Sequence, residues 1–181
     1  MSPRIGTSPT MGKLTLLTGP ARSGKSQRAV LQGNAWGSGT VFVATYRPDV
    51  HDPEMSARVA RHRAARPAWR TLEAPADVAA SLAALQPPPS GVILDCLTLW
   101  ISARFADSDG AIGAQWSAQL SQFKSAPWPT VIVSNEVGWG LVPPDPESRR
   151  FRDLAGTLAQ LTAAAAEEVW LVIAGCPLRL K

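Results

Sequence analysis

The sequence predicts an α/β fold, a mostly parallel sheet flanked by helices, on three observations. Five short apolar runs, at 14–18, 41–44, 91–95, 130–134 and 169–174, recur with helical segments between them. Continuous apolar runs suit strands buried on both faces, which is what a parallel sheet with crossover helices produces. The first run leads directly into Gly19-Pro20-Ala21-Arg22-Ser23-Gly24-Lys25-Ser26, a full match to the phosphate-binding pattern GxxxxGK[ST]. Finally, polar residues or glycines follow the carboxyl ends of the runs, at Thr45-Tyr46-Arg47, at Asp95 and at 135–140. In open α/β sheets that edge is where ligands bind.

Taken in order, residues 1–12 hold two Pro, two Gly and several Ser and Thr without periodicity, and read as a flexible N-terminal extension. Residues 13–181 then form one domain, a size that can bury a core of its own. The stretch 14–18 is strand, 19–26 glycine loop and 27–32 helix, the context in which this motif carries meaning. Successive N–H groups and the helix N-terminus face a polyphosphate. Lys25 supplies a positive charge for the β and γ phosphates, and the Ser26 hydroxyl a ligand for Mg²⁺.

Residues 33–40 read as a small-residue connection into the strand at 41–44. From Asp52-Pro53-Glu54 onward a helix is well signalled: a capping Asp, Pro at the first helical position and an acid in the first turn. Met55 and Val59 form its buried stripe, and His62 falls where core meets solvent. A short strand over 69–73, an alanine-rich helix over 77–85 and a triple-proline stop follow.

The strand at 91–95 ends in Asp95, which either holds Mg²⁺ opposite Ser26 or caps the next helix; the two roles are compatible. Residues 97–105 are helical, 107–113 a loop, and 114–123 a further helix. The strand at 130–134 runs into Asn135-Glu136-Val137-Gly138-Trp139-Gly140, beyond a strand end, where function is expected. The longest helix covers 148–168, and the run at 169–174 closes the sheet.

Apolar residues make up 45% of the 181 and charged residues 18%, a globular composition. A net charge of +4 admits a nucleic-acid-associated ATPase, but the basic residues are scattered and lack a stripe with interleaved aromatics, so no nucleic-acid partner is expected. Cys96 and Cys176, with no CxxC and no metal-ligand spacing, read as reduced core thiols. No apolar run reaches the ~20 residues of a membrane span, and no secretory order opens the chain, so the cytoplasm is the expected compartment. A phosphate loop alone also fits a nucleotide-dependent switch or scaffold, because this fold hosts many roles.

Five stretches together separate these readings: Gly-Pro-Ala-Arg-Ser-Gly-Lys-Ser at 19–26, Val-Ala-Thr at 43–45, Glu-Met-Ser-Ala-Arg-Val-Ala-Arg-His-Arg at 54–63, Ser-Asn-Glu-Val-Gly-Trp-Gly-Leu-Val-Pro at 134–143 and Phe-Arg-Asp-Leu-Ala-Gly at 151–156. With them the chain resembles the bifunctional adenosylcobinamide kinase/adenosylcobinamide-phosphate guanylyltransferase family, in order from Leu14 to Lys181. The resemblance implies a RecA-like phosphate-loop NTPase fold, a homotrimer, and an enzyme of cobalamin assembly that uses GTP and ATP. Such an enzyme phosphorylates adenosylcobinamide, then moves GMP from GTP onto adenosylcobinamide phosphate through a GMP-histidine intermediate.

The chain has two histidines, and His62, inside the matching helix, is the implied nucleophile; without the resemblance it reads as a polar residue on an exposed helix face. A neutral imidazole, with its reference pKa of about 6.5, is a competent nucleophile at neutral pH. Some relatives carry two adjacent histidines where this chain has Arg61-His62. The resemblance also implies nucleotide contacts at Gly19 to Ser26, Thr45, Tyr46, Arg47, Arg63, Ala64, Ala65, Arg66, Glu73 and Asp95. Tyr46 and Arg47 depart from the family pattern, and Glu73 reads equally as an exposed strand-end residue.

Overall fold

The computed structural model describes residues 12–46, 53–64 and 66–181, without the side chains at 53–55, 58 and 62. The seven described strands form one sheet: β1 (Leu14–Thr18), β2 (Thr40–Ala44), β3 (Arg70–Glu73), β4 (Gly91–Asp95), β5 (Thr130–Val133), β6 (Glu168–Ile173) and β7 (Cys176–Arg179). Their order is β3-β2-β4-β5-β1-β6-β7, parallel throughout except for the antiparallel pair β6 and β7. β5 therefore lies between the strand that enters the phosphate loop and the strand that ends in Asp95. This is the mostly parallel α/β sheet that the apolar runs predict.

Two layers of helix cover it. α1 (Lys25–Trp36) packs on one face, where Leu17, Phe42, Trp69, Ile93, Val131 and Val133 are buried with Ala29. The other face buries Leu14, Leu16, Val92, Leu94 and Ile132 beneath α3 (Val78–Ala83), α4 (Leu97–Ser102), α5 (Asp109–Ser125) and α6 (Pro146–Ala165). There the Trp100 and Trp116 rings lie 4.8 Å apart, and Trp116 Nε1 donates to Thr162 Oγ1 at 2.8 Å. α2 (Pro53–Ala64) follows the second strand, with Val59 half-buried. Met55, its expected partner in the buried stripe, has a side chain outside the described set.

Several boundaries differ from the sequence reading, each for a local reason. α1 continues through 33, where a connection is expected, to Trp36. A Cβ on Gly33 would stand 2.5 Å from the Trp69 ring, so this glycine marks close helix-to-sheet packing instead of a break. The expected loop at 107–113 is mostly helix, because Ser108 caps α5 by accepting from the Ala111 N–H at 3.3 Å. Gly110 and Gly113 each cost such a helix about 1 kcal/mol, which the cap and the buried Ile112, Trp116, Leu120 and Phe123 offset.

The run at 169–174 does not close the sheet; the turn Ala174-Gly175 returns the chain as β7. Both turn residues have positive φ, the twist that two-residue hairpins favour. Pro177 is tolerated because β7 is an edge strand. Cys176, read as a core thiol, is consequently exposed, while Cys96 is buried as expected. At the other end Gly12, assigned to the extension, is buried and donates to Ala126 O at 2.7 Å, so this residue is tied into the fold. Residues 1–11 lie outside the described ones. No helix among the described residues is long and apolar enough to cross a membrane.

Candidate active site

The parallel register brings the carboxyl ends of β1, β2, β4 and β5 to one edge, and the polar residues beyond them meet there. Gly19 opens the phosphate loop at φ 145°, and a Cβ at that position would lie 2.2 Å from Val172 O. Only a glycine can let the loop pass this close to β6. The loop then turns on a Ser23 N–H to Pro20 O bond of 3.3 Å and enters α1 through Gly24. A support that sequence reasoning missed comes from the β6–β7 turn, whose Gly175 N–H donates to Ser23 O at 2.8 Å. Its signal was present in the Ala-Gly pair between two strand-like segments.

Lys25 is 5% exposed, and its ammonium donates to Gly19 O at 2.8 Å, Pro20 O at 2.7 Å and Ser23 Oγ at 3.3 Å. The cation is thus held inside the curl of the loop, where backbone N–H groups and a positive charge converge on the place a phosphate chain would occupy. Next to it the Ser26 hydroxyl donates to Asp95 Oδ2 at 3.1 Å, across 69 residues of sequence.

Asp95 does not cap α4. That position belongs to Cys96, which is extended and makes no side-chain cap bond. The carboxylate instead faces the loop. A hydroxyl and a carboxylate side by side are hard oxygen donors of the kind Mg²⁺ takes one or two of, completing its shell with phosphate oxygens and water. Ser26 and Asp95 therefore fit Mg²⁺ chemically. Asp95→Asn should leave the thermal midpoint near wild type and raise the Mg²⁺ concentration for half-maximal activity about tenfold or more, as lost metal-site carboxylates do. A lowered midpoint with unchanged Mg²⁺ dependence would assign the residue to the fold.

Thr45 is 3% exposed, and its hydroxyl donates to Cys96 O at 2.7 Å and accepts from Cys96 N at 2.8 Å. Its own N–H donates to Asp95 O at 3.2 Å. Its side chain thus fastens the end of β4, which carries Asp95, to the end of β2. Burial pushes the Cys96 thiol up to about 11, with the Asp95 charge adding to the shift, so the thiol stays protonated and unreactive. Asn135 Nδ2 donates to Thr98 Oγ1 at 3.2 Å, and the Glu136 N–H to Gly19 O at 2.9 Å. The Asn-Glu pair after β5 thereby touches both neighbours, the segment following Asp95 and the first residue of the phosphate loop.

Arg66 lies over the Phe42 ring, 3.7 Å from its centroid, and donates to Thr71 Oγ1 at 3.1 Å. Burial and then repulsion from Arg63 lower its pKa, against the opposing pull of Asp95 and Glu73. The group stays cationic, since an arginine starts far above neutral pH. Arg63 forms an ion pair with Glu73 at the end of β3. Ser26, Thr45, Arg66 and Asp95 are accordingly brought together, with Arg63 and Glu73 beside them. Ala64 ends α2 and Tyr46 follows β2. Arg47, His51 and Ala65 lie outside the described residues, and of His62 only its place in α2 is described.

A family model described as cobinamide kinase / cobinamide phosphate guanyltransferase matches residues 15–180. The bifunctional adenosylcobalamin biosynthesis protein CobP of Pseudomonas aeruginosa is 39% identical over 168 residues, which cover 92% of this chain and 96% of that protein. The bifunctional adenosylcobalamin biosynthesis proteins CobU of Escherichia coli K12 and Salmonella typhimurium are 36% and 35% identical over 184 residues, covering 93% of this chain and 99% of each relative. The match spans every strand of the sheet and all the strand-end residues that meet around the phosphate loop, and the chain belongs to the cobinamide kinase / cobinamide phosphate guanyltransferase family.

Proposed function

We propose that the single phosphate loop of this chain, Gly19 to Ser26, serves both reactions of the family: phosphorylation of adenosylcobinamide by ATP or GTP, then transfer of GMP from GTP onto the adenosylcobinamide phosphate. The observation that carries this reading is the pairing of a buried, loop-enclosed Lys25 with a Ser26 hydroxyl set against Asp95. That pairing serves any reaction that cleaves a nucleoside triphosphate, whichever phosphorus is attacked.

In the first reaction the chain positions the triphosphate so that its γ-phosphorus meets the acceptor hydroxyl in line. Lys25 and the loop N–H groups disperse the charge that develops. In the second, an imidazole nitrogen of His62 attacks the α-phosphorus. The bond to the bridging oxygen breaks and pyrophosphate leaves; the acceptor's phosphate oxygen then displaces the imidazole from that phosphorus. Arg63 and Arg66, on and just beyond the helix that carries His62, supply positive charge near the transferring group. Mg²⁺, held by Ser26 and Asp95, would neutralise charge on the phosphates.

The same reading places the enzyme in the cytoplasm as a homotrimer, with residues 13–181 as one domain. Incubation with GTP labelled at the α-phosphate is expected to leave one label per chain that is lost in acid and kept in base, as a phosphorus-nitrogen bond to histidine behaves. An unlabelled chain that still transfers GMP would show that transfer is direct.

A further inference from the structure

The kinase reaction needs a group to accept the proton of the acceptor hydroxyl, and His62 is engaged in the other chemistry. Three carboxylates stand at the ligand edge of the sheet among the described residues discussed above. Asp95 takes the Ser26 hydroxyl, and Glu73 pairs with Arg63. Glu136 is placed differently. It follows β5, the strand lying between β1 and β4, so it issues from the gap between the phosphate loop and Asp95. Its N–H donates to Gly19 O at 2.9 Å, which fixes its backbone against the first residue of the loop. Its Oε1 accepts from the Gly138 N–H at 2.8 Å, and no cation among the described residues pairs with it. Val137 to Val142, which follow, are all exposed, so Glu136, itself half-buried, stands where the chain beyond β5 opens to solvent, the kind of open side a large acceptor needs.

We propose that Glu136 is the general base of the kinase reaction. Its carboxylate takes the proton from the substrate hydroxyl as that oxygen bonds to the γ-phosphorus. The bond from that phosphorus to the β,γ-bridging oxygen breaks, and the nucleoside diphosphate leaves with the electron pair. The proton then passes from the carboxyl to solvent. The Gly138 contact orients the side chain, leaving the second carboxylate oxygen for the substrate. A positioned carboxylate plays this part in other hydroxyl phosphorylations.

Glu136→Gln keeps an oxygen for the Gly138 N–H and removes the basicity, so it separates chemistry from loop support. With ATP and adenosylcobinamide, kcat of the variant should fall by ~100-fold or more, with KM for ATP within about threefold of wild type. With α-labelled GTP, the same preparation should form the histidine adduct to the wild-type extent and pass GMP to adenosylcobinamide phosphate supplied ready made. Glu136→Asp should recover part of the lost kinase rate. Kinase activity of Glu136→Gln within about fivefold of wild type would overturn the proposal, since a general base is worth more. So would parallel loss of adduct formation and thermal stability, which would make Glu136 a support for the loop. This inference rests on the kinase reading above. If the wild-type chain fails to phosphorylate adenosylcobinamide, that reading falls first, whereas a wild-type kinase with an unimpaired Glu136→Gln variant removes the general base alone.

Discussion

Lys25→Ala should abolish both activities. Both reactions need a triphosphate seated by one loop, and Lys25 is the cation that this loop encloses, bonded to Gly19 O, Pro20 O and Ser23 Oγ. Removing a preorganised charge from a reacting phosphate chain costs on the order of 100- to 1000-fold in rate. Its loss from the ground state weakens nucleotide binding as well, so kcat/KM should fall further than kcat. The variant also removes one donor from each of two loop carbonyls, Gly19 O and Pro20 O, which keep only the backbone N–H groups of Glu136 and Ser23, a stability cost of about 1–3 kcal/mol where water does not replace the ammonium. A thermal melt therefore accompanies the assays. Kinase activity that persists near the wild-type level while GMP transfer is lost would show two separate nucleotide sites.

The second large effect separates the two chemistries. Transfer of a γ-phosphoryl group to a hydroxyl requires no covalent histidine, whereas GMP transfer by the proposed route does. His62→Ala should eliminate the labelled adduct and guanylyl transfer while leaving phosphorylation of adenosylcobinamide measurable. His51→Ala should retain both. An adduct that survives in His62→Ala and disappears in His51→Ala would move the nucleophile from the helix to the segment before it. Because a helix variant can lose activity by unfolding, circular-dichroism melts of both variants belong with the labelling. Glu136→Gln is the mirror image of His62→Ala, losing the kinase and keeping the adduct. Together the pair tests whether one nucleotide site runs two chemistries with two different proton- and phosphorus-handling groups.

Much of this was legible from residue order alone, because the relevant signals are local. A continuous apolar run followed by Gly-x-x-x-x-Gly-Lys-Ser specifies strand, loop and helix within twenty residues, and the backbone N–H groups of such a loop bind phosphate whatever surrounds them. The motifs at 134–143 and 151–156 carried the family resemblance in the same way. What local signals could not carry were boundaries set by packing. Gly33 sits inside α1 as a close-packing residue, since the Trp69 ring lies where its side chain would be, and 107–113 is mostly helix because Ser108 caps it above a buried face.

Only the tertiary structure decided how the strand ends are used, since which residues face one another depends on strand order. With β5 between β1 and β4, Ser26 meets Asp95, so the carboxylate faces the phosphate loop and not the helix it precedes in sequence. Thr45, implied as a nucleotide contact, spends its hydroxyl on both polar groups of the Cys96 backbone, a pairing of residues 51 apart that no spacing rule reveals. Glu136 was one acid in a glycine-rich motif until the sheet put its backbone against Gly19. Sequence determined which chemical groups the chain carries to the edge of its sheet. Tertiary structure decided their partners, because hydrogen bonds and charge pairs act over a few ångströms of space and are blind to distance along the chain.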